Sequence, residues 1–325
     1  MSKRVPITLI LDDSGPINTM YMHGQKTLPA AGVERVRNVP VPFLERFVEV
    51  TGRLGMRGKF TLVPNPLGLG QLDEGIPGYP QADLERFLDI VREQIAPNWD
   101  ITPELLTHWM ALDLVSGKWL DMKEDAWAEL QDADSLTAYY VHALEILKNV
   151  DIPANGITSP WHFAQGVEEA HAEAVGRSLR EVFDVKQAWY FLHTSNKMEE
   201  DWVRIMRRDD EAGTAVVTVV GNVPDAYWKS QYHPDAADAR EAIREGVDGL
   251  LSADGTRGRI VDLIEAGQPV VMVTHWQSMF CNGFEVGLDA LEKLVGRVNE
   301  RFGDRIEWTT PSVMAKRALA EGANT

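Results

Sequence analysis

The chain has 325 residues, 44% hydrophobic and 25% charged, with a formal net charge of -17. That is the balance of a globular chain long enough for a full core, as one large barrel or two ordinary domains. The acidic surplus excludes nucleic acid as a partner, and no stretch reaches the roughly 18 apolar residues that would exclude a non-membrane reading. The single cysteine, Cys281, excludes an internal disulfide and suits a reducing compartment. Met1-Ser2-Lys3-Arg4 is followed by no apolar leader segment, so a cytoplasmic location is expected.

The first element is a short apolar strand, Val5 to Leu11, running into Asp12-Asp13-Ser14-Gly15-Pro16. An unbroken apolar run suits a strand buried on both faces of a parallel sheet, and the carboxyl end of such a strand is where α/β folds place chemistry. Alternation along the strand sends Asp12 and Asp13 to opposite sides unless the turn rotates the second. One can then hold a metal while the other faces substrate. Residues Ser14 to Val41, including Tyr21-Met22-His23-Gly24, read as a long functional or inserted loop.

Pro42 to Leu54 predicts a helix, Lys59 to Pro64 a strand, Gly68 to Pro80 a loop and Gln81 to Ile95 an amphipathic helix. A third strand is expected to end near Thr107 to Asp113, with an insertion near 113–134 that includes a helix over Asp121 to Leu130. Ser135 is expected to cap a helix to Val150. Gly156 to His162 reads as a strand end and loop, Val167 to Phe183 as helix, Lys186 to His193 and Val216 to Val220 as strands. Helices follow at Ala236 to Leu251 and Gly258 to Ala266, then a strand from Pro269 to Thr274 ending in His275. A helix over Gly287 to Phe302, a strand over Arg305 to Thr309 and a helix opened by Pro311 complete the chain. Strands alternating with helices, with no repeat or linker, point to one α/β domain over residues 1–325 with a mostly parallel sheet or barrel.

Several expected strands end in polar residues: Asp12 and Asp13, His108, Trp161 and His162, His193, and His275. In a parallel barrel these ends meet at one mouth, and Asp with His suits a divalent ion such as zinc, cobalt or nickel. His142, His171 and His233 read as non-catalytic. There is no His-Glu-x-x-His, cysteine pair, Walker motif or Gly-x-Ser-x-Gly, so the mechanisms those motifs carry have no support.

Leu9 to Pro16 resembles the Thr-Phe-Asp-Asp-Gly-Pro signature of the polysaccharide deacetylase (NodB-homology, carbohydrate esterase type) superfamily, with one residue inserted before the glycine. Lys59 to Val63 is similar to that fold's second strand. Val271 to His275, with Gly287-Leu288 and Leu291 behind it, resembles its last motif, and Arg305 to Ser312 its closing strand and helix. The resemblance implies a deformed (β/α) barrel of the glycoside hydrolase/deacetylase type binding one divalent metal ion, zinc first, with cobalt or nickel as alternatives. It implies Asp12 as general base, Asp13 as a metal ligand and His275 as the acid that protonates the leaving amine. His108 would be a second ligand. The family's second histidine, four residues on, is here Leu112, which leaves Asp113 or His162 as third ligand. The arginine-containing motif is matched only by Thr158-Ser159-Pro160-Trp161, without the arginine. Trp161, His162 and His193 are the expected substrate contacts.

The implied activity is metal-dependent hydrolysis of a non-peptide C–N bond, such as N-deacetylation of a sugar or small amide through a metal-activated water. Its expected partner is a small molecule or carbohydrate, with no nucleic acid and no membrane; a homo-oligomer is left open. Two alternatives stand beside it. One is a catalytically degenerate barrel binding carbohydrate or a protein partner. The other is a glycosidase using Asp12 with Asp113 or Asp13.

Overall fold

The computed structural model describes residues 4–18 and 37–322. The expected loop at Tyr21 to Gly24 lies outside them. The strands, in chain order, are β1 (Val5–Asp12), β2 (Ile17–Asn18), β3 (Arg37–Asn38), β4 (Gly58–Leu62), β5 (Asp100–Pro103), β6 (Met110–Asp113), β7 (Lys118–Lys123), β8 (Gly156–Thr158), β9 (Gln187–Phe191), β10 (Val203–Asp209), β11 (Thr214–Val219), β12 (Val270–His275) and β13 (Ile306–Trp308). The helices are α1 (Val41–Arg53), α2 (Gln81–Ile90), α3 (Glu124–Ala128), α4 (Ala133–Asn149), α5 (Glu168–Phe183), α6 (Ala236–Leu250), α7 (Arg259–Glu265), α8 (Trp276–Phe280), α9 (Val286–Phe302) and α10 (Pro311–Gly322). The fold is mixed α/β with parallel sheet. The chain falls into two compact units: Met1–Lys59 with Thr194–Trp202 and Gly221–Thr310, and Phe60–His193 with Val203–Val220 and Pro311–Thr325.

In the first unit β1 is the organising strand. It pairs in parallel with β12 from Ile7↔Val270 to Asp12↔His275, and with β13 at Val5 to Ile7. The start of β4 lies on β1 through the Leu9 N–H to Arg57 carbonyl bond. Every residue of β1 but Pro6 is buried, as its unbroken apolar run requires. Helix α1 turns Phe43, Leu44, Phe47 and Val50 inward, and Phe43 and Phe47 pack on Trp276 at ring separations of 4.7 and 5.6 Å. Gly287 lets the first turn of α9 cross α8. A Cβ there would fall inside the carbonyl oxygen of Ser278, so the close approach excludes any larger residue.

In the second unit β8, β9 and β11 pair in parallel, and β10 closes the edge antiparallel to β11. β5 lies beside β4. Asp100, at the start of β5, accepts from the Ser312 N–H (2.6 Å) and hydroxyl (2.7 Å), so it caps α10 behind Pro311.

Two sequence expectations are corrected here, and one strand was not foreseen. The parallel strand expected to end near Thr107 to Asp113 is instead β5, which ends at Pro103, and Met110 to Lys123 is an antiparallel hairpin, β6–β7. Helix α4 begins at Ala133, because the Asp132 carboxylate accepts from the Ser135 N–H at 2.9 Å; Ser135 is the capped residue, not the cap. Strand β10, Val-Arg-Ile-Met-Arg-Arg-Asp, carries no alternation that marks a strand, because it lies at the sheet edge with most of its side chains in water. No helix among the described residues is long and apolar enough to cross a membrane.

Candidate functional site

In the first unit the chemistry collects at the carboxyl ends of β1 and β12. Asp12 is the last residue of β1 and sits in register beside His275, the last of β12. Neighbours in register on parallel strands project to the same face. Lys59, in β4, has no exposed side-chain surface and donates from its ammonium to Oδ1 of Asp12. Asp13 follows the strand with φ of 62°. A left-handed residue without a glycine is uncommon and is tolerated best by Asp and Asn. This is the turn that rotates the second carboxylate away from simple alternation.

His275 donates from Nδ1 to Asp225 Oδ2 at 2.7 Å, and the Ser278 hydroxyl donates to the same oxygen at 3.3 Å. The Trp228 ring stands edge-on to the imidazole at 4.6 Å. Burial pushes the imidazole pKa down, but the hydrogen bond to Asp225 and the charges of Asp13, Asp225 and Asp12 outweigh it and take it up to about 10. His275 is therefore held as imidazolium with Nε2–H as its remaining donor.

In the second unit the chain leaving β5 carries Glu104 and His108. Both are buried, with His108 Nε2 3.5 Å from Glu104 Oε1. His108 has φ of 54°, and Trp161, whose ring centroid lies 4.9 Å from the imidazole, has φ of 51°. Left-handed non-glycine residues gathered in one place mark a backbone that its surroundings over-determine. One of those surroundings is Glu124, at the start of α3 and fully buried. Its Oε1 accepts from the N–H of Leu106 (3.1 Å), the N–H of Thr107 (2.9 Å) and the Tyr139 hydroxyl (2.7 Å). Burial raises the Glu124 pKa to about 7, against the lowering effect of the Tyr139 and Thr107 bonds and of His108. Lys123 places its ammonium 4.9 Å from the Trp161 ring centroid.

Within the second unit, Glu104 and His108 form a buried acid–imidazole pair that is a candidate for holding a cation. A carboxylate and an imidazole are ligand types that suit a divalent first-row cation, zinc, cobalt or nickel among them.

Sequence reasoning missed Glu104. The signal was present as Glu104-Leu105-Leu106-Thr107-His108, an acid four residues before the histidine rather than a ligand four residues after it. Asp113 is not part of the pair. Its carboxylate accepts from the Val115 N–H (3.0 Å) and the Ser116 hydroxyl (2.6 Å) in the β6–β7 turn, and these bonds hold its pKa below the usual value. His162 is exposed and is not part of the pair either. His193 lies 2.9 Å from Glu168, which also accepts from the Tyr190 hydroxyl (2.7 Å). Asp225 was missed because Asn222-Val223-Pro224-Asp225 reads only as a turn.

No family model matches the chain, and no curated protein matches it. Among solved structures it is similar to the Bc1960 peptidoglycan N-acetylglucosamine deacetylase, with a TM-score of 0.44 and 13% identity over 96% of this chain and 89% of that one. It is also similar to a BA3943 mutant described as a CE4 family pseudoenzyme with restored enzymatic activity, with a TM-score of 0.43 and 9% identity over 97% of this chain and 69% of that one. A second BA3943 mutant, described as a CE4 family pseudoenzyme, gives a TM-score of 0.41 and 9% identity over 97% and 68%.

Proposed function

We propose that the chain is a divergent polysaccharide deacetylase on a deformed (β/α) barrel, a metal-dependent hydrolase of amide C–N bonds acting on an N-acetylated sugar or small amide. The observation that carries this reading is the buried Glu104–His108 pair of the second unit. Ionisable groups taken out of water together are costly unless something compensates them, and a divalent cation does so directly. When bound, such an ion supplies Lewis-acid polarisation of the amide carbonyl and makes water more acidic.

The remaining roles belong to the chain's own side chains. Asp12 is the proton acceptor. Lys59 occupies its Oδ1, which leaves Oδ2 to take a proton from the attacking water. His275 cannot share that role, because an imidazolium has no lone pair to accept a proton. It is the donor: Nδ1–H is engaged by Asp225, and Nε2–H is the proton to be passed to the departing amine nitrogen. The hydrogen bond to Asp225 is the largest of the effects that raise the His275 pKa, ahead of the charge of Asp13. In the second unit Trp161 stands beside His108 and offers apolar ring surface to a sugar or acyl group. The glycosidase alternative loses one of its acids, since Asp113 is spent on its own turn.

The test is acetate release from N-acetylglucosamine oligomers. Release that disappears with a chelator, returns with zinc or cobalt, and is abolished in Asp12→Asn supports the reading. Release indifferent to chelation overturns it.

A further inference from the structure

The chain carries 49 acidic against 32 basic side chains, yet one face of the second unit reverses that balance. A cleft of about 480 Å³ opens between α5 and the β10–β11 hairpin. That is the size of a small-molecule site. Arg177, Arg180, Lys186, Arg207 and Arg208 line it, against the two carboxylates Glu173 and Asp209, a surplus of three positive charges.

The local backbone builds this wall. Glu173, Gly176, Arg177 and Arg180 are three and four residues apart, so α5 turns them to one side. Gly176 lets the helix lie close on the sheet, since a Cβ there would stand 2.8 Å from Val216 Cγ2. The pairing of β10 with β11 shifts register between Ile205 and Arg207, a bulge that re-aims the side chains after it. Arg207 then reaches across to Glu173 of α5 at 3.3 Å.

The carboxylates nearby do little to neutralise these cations. Asp209 accepts from the N–H groups of Glu211 and Ala212 at 3.0 Å each, closing its own turn. Arg177 is paired with Asp134 and Arg208 with Asp210, each at 2.6 Å, but the two acids are 81% and 77% exposed. Pairs so open to water are weak and readily exchanged for a better anion. Arg180 and Lys186 are exposed and make no ion pair among the described residues. Like charges held around one concave surface repel each other, and the field they sum to draws in a multivalent anion. Guanidinium forks match phosphate oxygens two at a time. A diphosphate carries about three negative charges near neutral pH, which equals the surplus. A nucleic acid would carry more, and would meet the repulsion of a chain with a net charge of -17.

We propose that the cleft between α5 and the β10–β11 hairpin binds a small molecule bearing a diphosphate, with Arg180, Lys186 and Arg207 as its anion contacts. None of these residues belongs to the candidate site described above, and the inference stands apart from the deacetylase reading.

The experiment is isothermal titration calorimetry of the whole chain with inorganic pyrophosphate and, separately, with adenosine diphosphate, in buffer without added divalent cation. Saturable binding of at least one probe is expected. It should weaken about tenfold or more in Arg180→Glu with Lys186→Glu, because each charged hydrogen bond lost is worth about that factor. Arg244→Glu with Arg257→Glu changes the net charge equally at two exposed positions outside the cleft and should leave affinity within about threefold. All four positions are exposed, so both double variants should fold, which circular dichroism checks. Tighter binding of adenosine diphosphate than of pyrophosphate supports a nucleotide ligand, and equal binding supports the diphosphate group alone as the feature recognised. The proposal is overturned if neither probe saturates the wild type below about 5 mM, or if the two double variants weaken binding to the same extent.

Discussion

Glu124 pins the loop that presents His108, and its replacement has a calculable consequence. Glu124→Ala strips the partner from three buried donors at once: the N–H groups of Leu106 and Thr107 and the Tyr139 hydroxyl. Each buried group left unsatisfied costs about 1–3 kcal/mol. Partial relaxation of the loop recovers some of this, so the expected loss is roughly 4 kcal/mol. Glu124→Gln is the contrasting variant: its amide oxygen can accept the same three bonds, and the loss should stay near 1 kcal/mol. The charge adds a pH signature. The folded pKa is raised from 4.5 to about 7, so protonation favours the folded state. The stability this gives is fully present below pH 4.5 and is lost as pH rises through about 7. A shift of that size corresponds to roughly 3 kcal/mol, and Glu124→Gln should flatten the slope. The assay is urea unfolding from pH 4 to 8, run beside zinc affinity, which should weaken about 10- to 100-fold in Glu124→Ala through the freed His108. An alanine variant as stable as wild type, with unchanged zinc affinity, would refute this reasoning.

Gly287→Ala forces its Cβ into the Ser278 carbonyl and should lower stability by about 2–3 kcal/mol, read as a fall in thermal midpoint. His171 is buried with Nδ1 bonded to the Tyr140 hydroxyl at 2.7 Å, and burial first, then nearby His193, lowers its pKa from 6.5 to about 3. Its neutral form favours the fold. That contribution, roughly 4–5 kcal/mol, is present above pH 6.5 and lost as pH falls toward 3; His171→Phe should remove the slope in denaturant titrations. Asp225→Asn takes away the anion bonded to His275, so the imidazole pKa should drop from about 10 by two units or more, measured by nitrogen NMR, while kcat falls with little change in KM.

How much of this could be read in advance depends on where each residue sits. β1 and β12 were legible because both faces are buried, so their sequences are unbroken apolar runs ending in Asp12 and His275. β10 was hidden because an edge strand in water has no reason to alternate. Glu104 escaped because β5 is four residues long and contains Pro103, so the eye passes over it to the more apolar hairpin beyond. Lys59 read only as part of a strand. Its meaning is its partner, and a pairing across forty-seven residues leaves no local trace. Asp225 and Glu124 were silent for the same reason: each acts through a distant imidazole or loop. Asp113 was attractive by spacing from His108, but spacing could not reveal that its carboxylate closes its own turn.

The central claim is that Glu104 and His108 hold one divalent ion. Glu104 tests it most sharply, because the resemblance to deacetylases gave no reason to choose it. Elemental analysis of protein purified under matched zinc should give one equivalent per chain for the wild type and under about a tenth of that for Glu104→Ala, if truncating a ligand costs at least as much affinity as disturbing its support. Full zinc in a folded Glu104→Ala protein would contradict the site.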